Sequence, residues 1–425
     1  AGDDPRDAAL RAGARGRTLH RLLGYSPAAD RFAHHEQNRL AEAVVIVDEC
    51  SMIDLFLMDR LVRAVGDEAQ LVLLGDAEQL PSVEAGAVFR DLIPAEAVAA
   101  WRPWRALVQD AGAARPLAAA AAPPPDPRAR AAFRLSHSFR MDAGRPAGRR
   151  ILEVARAINE GRAGDLASLV PRRAAPEALA GEGVELLPDE DGRLLEPFLA
   201  WWLDRHVCPD DARAARLGAA YARGPAGFGE GDLAALDELF RHAEAHRLLC
   251  LTRGGDLATG AAAVNARLHE LWRARLRAGA GRAGPELAPG EPVMMLRNDY
   301  ERGLFNGDQG LVLRVAEEGR PPQPMAIFRR GARDFAVFHL AALAGDLERC
   351  FAMTVHKAQG TELDHVGLVL PGRELALLTR EILYTAVTRS RTSVVVVGPE
   401  ALLARGVERR IVRFSGVGER LAGAG

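Results

Sequence analysis

Two short apolar runs that each stop on acids constrain this chain more than any other feature. VVIV (44–47) is followed at once by Asp48 and Glu49, and LVLLG (71–75) by Asp76. Short apolar runs bounded by polar turns read as buried strands. Between them, IDLFLMDRLVRAV (53–65) spaces its apolar residues as a helix does. Strand, helix, strand in that order makes a parallel crossover, and the fold class it predicts is α/β.

Composition sets the bounds around that unit. The chain has 425 residues, 48% hydrophobic and 26% charged. That is room for two to four domains with cores that need no disulfides. It excludes whole-chain disorder, collagen and small disulfide scaffolds. No apolar run approaches the roughly 18 residues of a transmembrane helix, so no membrane partner is expected. The net charge of −2 excludes a uniformly basic nucleic-acid coat, but not a local basic channel. Cys50, Cys208, Cys250 and Cys350 lie far apart without a C-x-x-C pair. They read as reduced thiols rather than a zinc or disulfide framework. With no signal peptide ahead of them, a cytoplasmic protein is predicted.

The basic residues are lopsided. Lys357 is the only lysine, against 54 arginines. With abundant Ala, Gly and Pro, this looks like GC-rich coding. Either chance spared the lysine, or arginine cannot replace it there; its motif-like surroundings favour the second reading.

Further along, DAGAARPLAAAAAPPPDPRAR (110–130) reads as an Ala/Pro-rich surface loop or linker. Residues 160–245 say little beyond "mostly helical". RLLCLTR (247–253) is a buried strand, and AAAVNARLHELWRARL the helix after it. Residues 290–345 switch to short apolar strands separated by N-G, G-R and R-G-A-R turns, the pattern of a small β-barrel inserted in an α/β domain. FAMTVHKAQGTELDHVGLVLP, TREILYTAVTRSR and TSVVVVG then return to α/β order. No fixed-period repeat is present, which excludes a solenoid.

Ligands in α/β folds gather where the strands end. Asp48 is placed to hold Mg²⁺ for phosphoryl transfer from a nucleoside triphosphate, and Glu49 to orient the attacking water. A strand ending in two acids is equally compatible with a helix N-cap and a solvated neighbour. The second strand shifts the balance. Asp76 follows Asp48 by 28 residues, one crossover. Adjacent parallel strands would bring Gln79 to the same edge, where a neutral amide can bond a γ-phosphate or water. An ordinary surface turn at G-D-A-E-Q is the alternative. Arg140, in LSHSFR, and Arg389, in YTAVTRSR, could offset charge that develops in the transition state, or be solvated arginines among many. TVHKAQGTE (354–362) gathers Thr354, His356, Lys357, Gln359 and Thr361, residue types that contact phosphate and sugar. A capped helix start would use similar residues.

These segments, in this order, resemble the RecD family of superfamily 1 DNA helicases. The resemblance runs through TLHRLLG (18–24), VVIVDECSMID (44–54), LLGDAEQLPSVEAGAV (73–88), LSHSFR (135–140), RNDYERGLFNGDQG (297–310), AMTVHKAQGTELDH (352–365) and TREILYTAVTRSR (379–391). HHEQNRL (34–40), GLFNGD (303–308) and GVERR (406–410) resemble the RecBCD type, the alpha subunits of exodeoxyribonuclease V. Stand-alone RecD-like helicases are the nearest alternative.

The resemblance implies two RecA-like P-loop NTPase domains with ATP between them, the first one truncated, and a small SH3-like β-barrel inserted in the second. The boundaries it gives are 1–95 for the first domain and 96–132 for the linker. The second domain is then 133–289 and 347–425, around a barrel at 290–346. It implies 5′→3′ translocation on single-stranded DNA or DNA ends, in a heterotrimer with RecB-like and RecC-like subunits, in double-strand-break repair and recombination. Asp48 then resembles the Mg²⁺ residue, Glu49 the water activator and Gln79 the γ-phosphate sensor. Arg140 and Arg389 resemble the arginines that reach ATP, with Gly360 and Glu362 beside the nucleotide. Thr18, His20, Asn306, Thr354, His356, Lys357, Gln359 and Thr361 would lie on or near the DNA. Tyr300, Phe305 and Tyr384 could stack on bases or be packed residues. In such complexes the nuclease belongs to another subunit, and no nuclease centre is expected here.

The chain departs from the family in one serious respect. No G-x-x-x-x-G-K-[ST] loop, whose amides and lysine cradle phosphates, is present. Either the chain is a fragment without its N-terminal part, which the intact later motifs favour, or it is a degenerate, catalytically silent DNA-binding and interaction subunit. In both cases these residues alone are expected to bind ATP weakly and hydrolyse almost none. Cys50 stands where the family often has alanine, with little effect expected. Arg39 stands where the RecBCD type usually has proline, which weakens that finer assignment.

Overall fold

The computed structural model describes residues 16–82, 86–93, 131–132, 135, 141, 144–254, 258–277, 287–413 and 415–422. The chain forms two compact units, Ala1–Ser136 with Val412–Gly425, and His137–Ile411. The sequence puts 412–425 with the second domain; the structure puts it with the first unit. There the Ser415 hydroxyl donates to the Asp91 carboxylate. The Ala/Pro-rich linker lies almost wholly outside the described residues.

In the first unit, α1 (Leu19–Leu22) is capped by Thr18, whose hydroxyl accepts the Arg21 N–H at 3.3 Å. A short antiparallel pair follows, β1 (Tyr25–Ser26) and β2 (Arg31–Phe32). Strands β3 (Val44–Val47) and β4 (Gln70–Leu73) then pair in parallel, Val45 opposite Leu71 and Val47 opposite Leu73. The crossover is α2 (Leu55–Ala64), whose N-cap Asp54 accepts the Leu57 N–H at 2.8 Å. Met58, Leu61 and Ala64 of α2 bury Val45 and Val47. Val44 and Ile46, on the other face, stay 51% and 65% exposed. The sequence reads β3 as wholly buried; among the described residues only one of its faces is. Helix α3 (Val88–Leu92) adds Val88 and Phe89 to the same core.

In the second unit the strands are β5 (Gly183–Pro188), β6 (Ala220–Gly224), β7 (Gly227–Phe228), β8 (His246–Cys250), β9 (Pro292–Met295), β10 (Gln309–Glu317), β11 (Gln323–Gly331), β12 (Asp334–His339), β13 (Leu347–Arg349), β14 (Ala352–Thr354), β15 (Leu363–Val369) and β16 (Ser390–Gly398). The labelled helices are α4 (Pro146–Asn159), α5 (Leu195–Trp202), α6 (Glu230–Glu244), α7 (Ala261–Arg277), α8 (Arg380–Thr388) and α9 (Glu400–Glu408).

Five strands form an all-parallel sheet in the order β14-β8-β15-β16-β5. Helices α4, α8 and α9 cover one face, where Val154, Ile158, Leu383 and Leu403 meet Val184, Leu368 and Val396. On the other face Phe198 and Trp202 of α5 and Leu268 and Trp272 of α7 share a core with Leu248, Val369 and Val395. A parallel sheet covered on both faces needs near-continuous apolar strands, and β16 supplies Val394–Val397. Gly367 sits where the cover is tightest. A Cβ there would lie 2.4 Å from Leu248 Cδ2 and 3.1 Å from the Phe198 and Trp202 rings.

The strand-rich stretch at 290–346 forms as the turns predict, but its sheet reaches beyond it. The order is β12-β11-β10-β6-β7, with β9 on β10 and β13 on β9. β6 joins β10 in parallel, from a stretch whose composition reads as helical. Leu311, Leu313 and Ile327 of this sheet share one core with Phe198, Trp202 and Phe240, so its buried face continues into the parallel sheet's cover. Arg247, 4% exposed, ties the two together, donating to Gln309 Oε1 at 2.7 Å and to the Ala243 carbonyl at 3.1 Å.

Candidate phosphoryl-transfer and nucleic-acid sites

Hydrogen bonds carry the β3–β4 pairing past both strand ends. The Leu74 N–H donates to Val47 O at 2.8 Å, and the Cys50 N–H to Leu74 O at 2.8 Å. This sets Asp48 and Glu49 beside Gly75 and Asp76 at the strands' C-terminal edge. That approach leaves little room at Gly75. A Cβ on it would lie 3.1 Å from the Cys50 nitrogen and 3.2 Å from the Ser51 nitrogen.

Asp48 is exposed, and its carboxylate accepts the Glu49 N–H at 2.8 Å. Glu49 adopts the left-handed conformation, φ 54° and ψ 41°. That costs a residue with a Cβ about 1–2 kcal/mol, and such strain clusters at functional positions. The conformation turns the chain sharply after β3. Asp76 builds the facing turn, accepting the Glu78 N–H at 3.0 Å and the Gln79 side-chain amide at 3.2 Å. Gln79 is 8% exposed, and its Oε1 has no hydrogen-bond partner. The Ser51 Oγ is likewise buried and unbonded. Buried polar atoms of this kind call for an explanation, and a ligand or ordered water supplies one. Burial, and then the neighbouring Asp48 and Glu49, push the Cys50 thiol up to about 11, so it stays protonated.

The residues present fit a magnesium nucleotide in part. Mg²⁺ on a nucleotide is held by one or two carboxylates with the phosphates completing its shell, and Asp48 offers one. No group of three or more metal-ligating side chains occurs among the described residues, as such a site requires none. A phosphate-cradling lysine is missing from the sequence altogether.

In the second unit, the loop after β14 is a tight series of turns. The Thr354 hydroxyl accepts the Lys357 N–H at 3.3 Å, and the Thr361 hydroxyl donates to Ala358 O at 2.7 Å. Gly360 takes φ +76°, which suits glycine. Thr354, His356, Lys357, Gln359 and Thr361 are half-buried, while Gly360 and Glu362 are exposed. Arg389 meets this loop from the end of α8. Its guanidinium is fully buried and donates to Thr361 O and Thr385 O, each at 3.3 Å. The structure thus brings Arg389 and the 354–361 loop together, with the arginine folded inward. Glu362 pairs with Arg391.

The other predicted residues sit apart. Thr18 caps α1, and exposed His20 packs its ring 5.3 Å from Tyr25 and 5.9 Å from Phe32. Asn306 lies exposed on the turn before β10, its N–H bonded to Asn298 Oδ1 at 2.9 Å. Tyr300 is 60% exposed, whereas Tyr384 is half-buried. Arg140 lies outside the described residues. Sequence reasoning missed Gly75, Ser51, Arg253 and Glu348. The G-D turn could have flagged Gly75; nothing in the sequence pairs Glu348 with Lys357.

Comparison with known proteins decides the family. AAA-domain proteins match residues 6–85, and the UvrD-like helicase C-terminal domain matches residues 349–397. "RecBCD enzyme subunit RecD" of Mycobacterium tuberculosis is 38% identical over 410 residues, covering 96% of this chain and 58% of that protein. The same subunit of Mycolicibacterium smegmatis is 34% identical over 96% of this chain and 59% of that one. The chain belongs to the RecD family. It spans about 58% of the length of the curated RecD subunits it matches. The "ATP-dependent RecD2 DNA helicase" of Deinococcus radiodurans is 29% identical over 88% of this chain and 38% of that one. A Pif1 helicase from Bacteroides, solved with ADP-AlF3 and ssDNA, aligns over 92% of this chain and 80% of that one at 17% identity and a TM-score of 0.37. Among the described residues no helix is long and apolar enough to cross a membrane.

Proposed function

We propose that the protein works as an ATP-driven DNA motor that moves 5′→3′ on single-stranded DNA, in a RecBCD-type assembly with RecB-like and RecC-like partners. The observation that supports this reading is the β3–β4 edge, which carries Asp48 and strained Glu49 after one strand and Gln79, with its unbonded amide oxygen, in the turn after the other. Its identity of 34–38% to the mycobacterial RecD subunits, against 29% to the RecD2 helicase, favours the multi-subunit type. The setting is the cytoplasm and the task is the repair and recombination of broken DNA, without a nuclease centre in this chain.

On this reading the first unit is one motor domain and the second unit the other, with 290–346 as the barrel-like insert. Asp48 holds Mg²⁺, which offsets charge on the phosphates when bound. Glu49 accepts the proton of the attacking water at its carboxylate, and Gln79 reads the γ-phosphate through Oε1. Arg140 and Arg389 are the arginines that offset charge as it develops on the phosphates. Gly360 and Glu362 flank the nucleotide. Thr18, His20, Asn306, Thr354, His356, Lys357, Gln359 and Thr361 grip the sugar–phosphate backbone, with sequence-tolerant binding.

Strand displacement tests the direction. A duplex with a 5′ single-stranded tail should be unwound by the assembled protein, and one with only a 3′ tail should not; the reverse preference contradicts the reading. A second reading is a silent DNA-binding and interaction subunit. It predicts no ATP-dependent displacement from either tail.

A further inference from the structure

The only lysine in the chain is not held ready for a ligand; a carboxylate holds it. Lys357 Nζ lies 3.0 Å from Glu348 Oε1. The other oxygen, Glu348 Oε2, takes Arg253, at 3.0 Å from Nε and 2.9 Å from Nη2. One carboxylate thus bridges two cations on three different segments. Arg253 follows β8, Lys357 lies in the turn after β14, and Glu348 is on β13, which belongs to the other sheet. The cluster is reachable from solvent, with Arg253 59% exposed, Lys357 29% and Glu348 22%.

A surface pairing of this kind contributes at most about 1 kcal/mol, because water and salt screen it. Stability alone is a weak reason to place a carboxylate here. The chemistry offers a stronger one. A phosphodiester is a monoanion whose oxygens accept from lysine and arginine alike, as this carboxylate does. Glu348 occupies the position a phosphate would take, and repels one that approaches.

We propose that Glu348 is a built-in competitor for the phosphate backbone of single-stranded DNA. Without DNA it holds Arg253 and Lys357 together. When a phosphate arrives, the two cations transfer from the carboxylate to it, and the backbone must displace an anion to be gripped. This lowers affinity at that point, and binds the grip to the β13 sheet that carries Glu348. The proposal rests on the single-stranded DNA reading above, and adds Arg253 and Glu348 to it as a binding residue and a restraining one.

The test is fluorescence anisotropy of a labelled oligothymidylate with the full chain across a salt series. Glu348→Gln should tighten binding about three- to tenfold at low salt, the size of one screened charge a few ångströms away. The gain should fade as salt rises, and the slope of log K against log salt should steepen, because an anion beside the gripped phosphate has been removed. Lys357→Gln should weaken binding. With Arg253→Gln and Lys357→Gln already present, Glu348→Gln should tighten binding less than it does in the wild type, because only its own repulsion of the phosphate is removed and no cation remains to release. If Glu348→Gln leaves affinity unchanged or lowers it while Lys357→Gln weakens binding, the competitor idea is overturned and the DNA reading stands. If Lys357→Gln changes nothing, the loop is not on the DNA path, and both fall.

Discussion

At the scale of single residues, the first-unit edge is built from two unusual backbones. Glu49 accepts a left-handed conformation, and Gly75 comes so close to Phe89, Cys50 and Ser51 that a Cβ there would press on all three. Gly75→Ala is therefore expected to part the strand ends. It should cost about 1–3 kcal/mol of stability in chemical denaturation, the usual penalty for overpacking against backbone. A melt within about 0.5 kcal/mol of wild type would show that the edge has slack. The sequence made Asp48, Glu49 and Gln79 legible because strands ending in acids announce themselves. It left the burial of Arg389 invisible. Which way an arginine folds depends on carbonyls of Thr361 and Thr385 that only the fold brings to it.

At the scale of elements, apolar runs marked β8, β15 and β16 well, because strands of a doubly covered parallel sheet are apolar throughout. Strands β5 and β6 escaped for the opposite reason. β5 carries a buried Glu185, paired with Arg173 at 2.6 Å, and β6 is AYARG with one buried residue, Tyr221. Neither shows a periodicity to read. A further element is visible only in three dimensions. The π-helical turn Leu203–Val207 presses His206 against Trp202, with ring centroids 4.3 Å apart, and lies 4.7 Å from His365 and 5.8 Å from His246. Burial, then His365, Arg205 and His242, pull His206 down to about 3. His246, His242 and His365 are lowered too, chiefly by burial. The unfolded chain, with histidines near about 6.5, then binds more protons than the folded one. Stability is complete above that value and falls as pH drops below it, by at most about 1.4 kcal/mol per pH unit for each histidine. Urea melts between about pH 7.5 and about pH 5 should show this fall, and His206→Phe should flatten it. An unchanged midpoint across that range would contradict the buried, neutral cluster.

At the scale of the whole molecule, the family was legible from the order of its motifs, which survive at 38% identity to a RecD subunit. The extent of the β-rich sheet was not, since its parallel edge strand comes from residues far upstream. Affinity for single-stranded DNA should fall steeply with salt and depend little on base sequence. Equal binding at low and high salt would argue against a phosphate grip. The claim on which everything else stands is that the β3–β4 edge drives phosphoryl transfer. The most direct test is DNA-stimulated ATP turnover by the protein as its cell makes it, wild type against Glu49→Gln. The expected result is turnover in the wild type and a loss of at least about a hundredfold in the variant, with nucleotide binding kept. Equal turnover in the two proteins, including none in either, would contradict it.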